Sequence, residues 1–134
     1  MSTVKSFSVG AMTINASMPS ALEQDEVLSI IGSEVIQRAI SARYNDEPMT
    51  DRILAAMFTT MPIIAKRRVA DILCTKAFIA GTQTKVTVAD FQGKMVAYNT
   101  LLAQLTLWNF EDFFTWLNID SAAGVQPNPN EAAQ

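Results

Sequence analysis

The chain has 134 residues, of which 49% are hydrophobic and 17% charged, and a formal net charge of −3. This balance excludes a natively unfolded chain, which combines low hydrophobicity with high net charge, and the length suits one domain with a single core. The acidic balance also provides no long-range attraction for nucleic acid or anionic lipid.

Residues 1–18 read as an extended arm or a short hairpin. Phe7 and Val9 alternate with Ser6 and Ser8, and Met12 and Ile14 alternate with Thr13 and Asn15. Gly10-Ala11 between the two runs suits a two-residue type II′ turn. Ser20 and Glu23 then form an S-x-x-E capping box, which opens a first helix. Leu28, Ile31, Val35, Ala39 and Ala42 mark its apolar stripe, and Glu34 and Arg38 make an i,i+4 pair. Asn45-Asp46-Glu47-Pro48 ends it near Tyr44.

A short second helix starts at Thr50 or Asp51 and runs through Phe58; Pro62 interrupts it or begins the next. The third helix is expected from about Pro62 to Ala80, with Ala65, Val69, Ile72, Leu73 and Ala77 on one face and Gly81 as its stop. Thr82 to Val86 is a polar connector. Thr87 and Asp90 repeat the capping pattern ahead of a fourth helix to about Leu107, with the stripe Phe91, Met95, Tyr98, Leu102 and Leu105. Asn109 is the expected cap of a last short helix, Phe110 to Asn118. The fold class is therefore mainly α: a single small helical domain of four to five helices over residues 19–118, with a short N-terminal β-hairpin or extended arm and a disordered C-terminal tail over 119–134.

Chemistry-bearing residues are sparse. The absence of histidine removes the usual general base and the commonest metal ligand, and excludes Cys-His and Ser-His-Asp arrangements. A lone cysteine, Cys74, supplies neither an intramolecular disulfide nor a zinc site, and its neighbours Ile72, Leu73 and Ala77 point to a buried thiol. Glu23, Asp25 and Glu26 suit the first turn of a helix, as do Glu111 and Asp112. Gly32, Gly81 and Gly93 are isolated and form no phosphate loop. Lys66-Arg67-Arg68 is the one basic cluster; with Asp71 close by, it reads as a solvated helix face rather than a DNA reader. No apolar run approaches the roughly 20 residues that span a bilayer, and no continuous apolar stretch near Lys5 suggests a secretion signal. No enzyme activity, cofactor or metal is expected, and the chain reads as cytoplasmic.

The segment from Leu101 to Leu117 is apolar on more than one side, so it requires burial in the core or against a partner. Trp108, Phe110, Phe113, Phe114 and Trp116 are the candidate partner-binding residues, with core and interface roles both open. The same apolar surplus predicts a homo-oligomer. Met49, Met57, Met61 and Met95, in or beside the predicted helices, would suit either core filling or varied partners.

Three stretches together resemble the tail assembly chaperones of long-tailed bacteriophages and related prophages: Phe7-Ser8-Val9-Gly10-Ala11-Met12-Thr13-Ile14-Asn15-Ala16-Ser17, Val27-Leu28-Ser29-Ile30-Ile31-Gly32-Ser33-Glu34, and Asn109-Phe110-Glu111-Asp112-Phe113-Phe114-Thr115-Trp116-Leu117. The likeness covers most of residues 5–118 and rests on pattern and order, with no catalytic signature and no binding motif to carry over position by position. It implies a protein of the bacterial host cytoplasm, absent from the mature virion, that binds the tape measure protein, keeps its helices soluble and brings tail tube subunits to it. It also implies that a longer form can arise by ribosomal frameshift, for which the Pro/Asn-rich end would serve as a linker. The alternatives are another phage minor tail or connector protein, and a small helical DNA-binding regulator using Lys66 to Arg68.

Overall fold

A computed structural model describes residues 3–117; Asn118 and the expected tail over 119–134 lie outside the described residues. Strands β1 (Val4–Val9) and β2 (Met12–Ser17) form the hairpin, with Val9 opposite Met12 so that Gly10-Ala11 is the loop. Gly10 has φ +59°, the left-handed value required at the first central position of a type II′ turn and one that glycine adopts freely. Alternation directs Phe7, Val9, Ile14 and Ala16 inward, while Ser6, Ser8, Thr13 and Asn15 stay exposed.

Helix α1 (Ala21–Tyr44) begins with both hydrogen bonds of the Ser20/Glu23 capping box and buries Val27, Ile31, Val35 and Ala42. It ends at Asn45, followed by Asp46 at φ +57°. The Glu47 amide donates to the Ala42 carbonyl and the Asp46 amide to that of Arg43, which satisfies two carbonyls of the last turn. Helix α2 (Asp51–Thr60) buries Leu54, Met57 and Phe58. Pro62 then precedes α3 (Ile63–Leu73), where its missing amide costs nothing.

Two expected helices are shorter than their periodicity suggested. The helix expected from Pro62 to Ala80 ends at Leu73, and Ala77–Ile79 instead forms strand β3, antiparallel to β2 with Ala16 opposite Ala77. Ala77 satisfies both the helical stripe and an inward strand position, so spacing alone does not separate the two. The long-range pairing with β2 decides it. The supposed connector returns along β3, with the Val86 amide donating to the Ala77 carbonyl, and Gly81 at φ +80° serves that turn rather than capping a helix. The second capping pair, Thr87 and Asp90, opens only a 3₁₀ turn (Val88–Phe91). Gly93 at φ +76° breaks the path, and α4 runs from Met95 to Asn109.

Asn109 closes α4 and does not cap the next helix. Its amide donates to the Leu105 carbonyl at 2.9 Å, and its Oδ1 accepts from Gln24 at 2.8 Å, tying the end of α4 to the start of α1. Residues 111–117 are again helical. The architecture is mainly α with a three-stranded antiparallel sheet in the order β1-β2-β3, and the hairpin contributes to the same apolar core as the helices.

The hairpin is thus structural, and Phe7 tests this. It is 5% exposed and meets the Trp108 ring edge-on, with centroids 5.5 Å apart. Phe7→Ala is expected to cost about 3–5 kcal/mol in a denaturant titration. A loss below about 1 kcal/mol, the scale of a surface change, would make the hairpin peripheral.

Candidate protein-binding surface

The five aromatic candidates separate by depth. Trp108, Phe110 and Phe114 are 5%, 5% and 9% exposed, whereas Phe113 is half-buried and Trp116 is 57% exposed. The break at Phe110 produces this division. From Tyr98 to Asn109 the helix buries most of its side chains; after it, residues 111–117 pack Phe114 inward and leave Trp116 facing out. Phe113 bridges the two levels, its ring edge-on to Phe114 at 5.7 Å and tilted against Trp116 at 6.0 Å. The Phe114 amide donates to the Phe110 carbonyl at 3.0 Å, anchoring the segment to its buried start.

Beside these aromatics lies an open groove of about 390 Å³. One wall is Lys5–Ser8 of β1, an edge strand of the sheet, and the other includes Gln104, Leu107 and Trp108 of α4, with Asp51 and Glu111 at the rim. Gln104 donates to the Asp51 carboxylate at 3.2 Å, joining α4 to α2 on this side. Of the five candidates only Trp108 lines this groove, and no sequence signal pointed to β1 or Gln104 there. Nothing local in residues 5–8 marks them as neighbours of Trp108; that pairing exists only once the hairpin has docked.

Several of the other chemistry-bearing groups are engaged within the fold. Hydrogen bonds from Ser20 hold the Glu23 carboxyl below its usual range, and the Arg68 guanidinium does the same for Glu26 through bonds of 2.6 and 2.8 Å. The basic cluster is not a single basic face: Arg68 is turned onto Glu26, and Lys66 is partly buried with its Nζ 5.6 Å from the Tyr98 ring centroid. Arg67 is exposed. Among the described residues no three of His, Cys, Asp and Glu gather as a metal-binding group, and no helix is long and apolar enough to cross a membrane.

Cys74 is 8% exposed, and burial pushes its thiol up to about 12; burial also pushes the Tyr98 hydroxyl to about 12. Both groups resist ionising in the folded state. Their contribution to stability is full below about pH 9, where folded and unfolded chains keep the protons, and is lost as the pH climbs towards 12. The melting temperature is therefore expected to fall between pH 8.5 and 11, and to fall less steeply in Cys74→Ala. Equal slopes for the two proteins would show that the thiol ionises as easily folded as unfolded. Comparison with protein-family models, with curated proteins and with solved structures gives no significant match.

Proposed function

We propose that this chain is a tail assembly chaperone of the long-tailed bacteriophage type, a non-catalytic protein that holds the tape measure protein soluble and helps bring tail tube subunits to it. The observation that carries the reading is the exposed Trp116 beside half-buried Phe113, on a helix fixed by Phe110 and Phe114 and next to the groove walled by Trp108. An exposed tryptophan on a rigid support is the usual anchor of a protein interface, because a large amphipathic surface is offered without loss of side-chain freedom. Long amphipathic client helices present the apolar stripes such a surface takes up. The protein acts in the host cytoplasm and leaves before the virion is complete.

The depth of the aromatics sharpens the binding proposal. Trp108, Phe110 and Phe114 act as the support, and Phe113 and Trp116 make the contact. Co-expression with the long helical protein encoded in the same genome tests this. The wild-type chain is expected to keep that client soluble, and Trp116→Ala with Phe113→Ala is expected to weaken the complex by at least about 2 kcal/mol, or roughly thirtyfold. Circular dichroism and melting establish first that the variant is folded. A client equally soluble with and without the chain removes the chaperone assignment. Recovery of the chain in purified particles makes it a minor tail or connector subunit instead.

A further inference from the structure

Helix α1 buries one face, and among the described residues its opposite side carries a row of exposed apolar side chains. Val27, Ile31, Val35 and Ala42 are buried against the body, yet Leu22, Ile36, Ile40 and Tyr44 are 82%, 36%, 61% and 90% exposed. At 100° per residue Ile36, Ile40 and Tyr44 lie along one line of the helix, opposite the buried face, and Ser29 and Ser33 continue that line towards Leu22. Ile36, Ile40 and Tyr44 together form an exposed apolar patch of the kind that marks an interface.

The outer face is complementary to itself. Its first half is small, with Ser29, Gly32 and Ser33, and a Cβ built on Gly32 meets nothing within 4 Å. Its second half is large, with Ile36, Ile40 and Tyr44. Charge divides the same way: Asp25 flanks the first half and Arg43 the second, Glu26 being held by Arg68. Parallel pairing of two such helices would set like charges and like sizes against each other. Antiparallel pairing sets Ile36 and Ile40 over Ser33 and Ser29, and brings Arg43 towards Asp25.

We propose that α1 is the contact between two copies of this chain, packed antiparallel about a two-fold axis between Ser33 and Ile36. The contact is isologous, so each copy offers both halves of the complementary face. It lies on a different helix from Phe113 and Trp116 and stands or falls independently of the chaperone reading.

Sedimentation across a concentration series is expected to show a monomer–dimer equilibrium for the full chain. Ile40→Asp combined with Tyr44→Ser changes only exposed side chains, so the fold and melting temperature should hold while the dimer dissociation constant rises at least about thirtyfold. Cross-linking tests the orientation. In the antiparallel pair the two copies of residue 33 lie near the axis, separated by little more than the roughly 8–10 Å between packed helices, whereas the copies of residue 22 are about 37 Å apart along it. A bismaleimide spanning about 10 Å, comparable with that interhelical spacing, should couple Ser33→Cys chains to each other and leave Leu22→Cys chains uncoupled, with the wild-type chain as the control for buried Cys74. A strictly monomeric wild type, a dimer indifferent to the Ile40/Tyr44 changes, or efficient coupling through Leu22→Cys would each overturn the proposal.

Discussion

The structure depends on one helix that is buried over most of its circumference. Along α4, Tyr98, Leu101, Leu102, Ala103, Leu105, Thr106 and Trp108 are all buried, which no single packing face can achieve. The helix therefore needs neighbours all round it: β1 reaches it through Phe7 and Trp108, α2 through Asp51 and Gln104, α3 through Lys66 and Tyr98, and the 3₁₀ turn through Phe91 and Tyr98. Each fully buried leucine contributes roughly 1.5–3 kcal/mol relative to exposure, so Leu101, Leu102 and Leu105 bind these elements together more strongly than any surface ion pair. Polar groups on α4 are satisfied locally. Thr106 donates to the Leu102 carbonyl and Asn109 to that of Leu105, while the Asn99 amide donates to Met95 and leaves its Oδ1 unpaired.

That constraint divides the aromatic segment. Within α4, position 108 faces β1 and the core, and Trp108 is buried against Phe7. Once the path turns at Phe110, the next turns run along the outside of the body, and alternate sides face in and out. Among the five aromatics, exposed surface is thereby confined to Phe113 and Trp116, with the buried ones beneath them. The support matters because an anchor ordered in advance loses less entropy when it binds.

Much of this fold was legible in local chemistry. Ser20 and Glu23 marked the start of α1, Gly10-Ala11 marked the hairpin turn, and Pro62 marked the boundary between α2 and α3. The failures have different causes. Ala77–Ile79 became a strand because β2 offered a partner about 60 residues earlier in register, Ala77 opposite Ala16, and no window of sequence contains both. Thr87 and Asp90 form a true capping box, but nearby Gly93 adopts a left-handed backbone that ends the turn after four residues. For the site, composition placed the aromatics in one segment, and only the break at Phe110 assigns their depth. The outer stripe of α1 is a different case: Ile36, Ile40 and Tyr44 have plain i, i+4, i+8 spacing, and it was obscured because the opposite face is apolar too.

The most direct test of this division uses the chain's own fluorescence. Trp116→Phe leaves Trp108 as the sole tryptophan, buried against Phe7. The account predicts blue-shifted emission that acrylamide barely quenches, with the red-shifted, quenchable component of the wild-type spectrum removed. Red-shifted and freely quenched emission from Trp108 would contradict it, because α4 would then not be the buried centre on which both the fold and the binding surface rest.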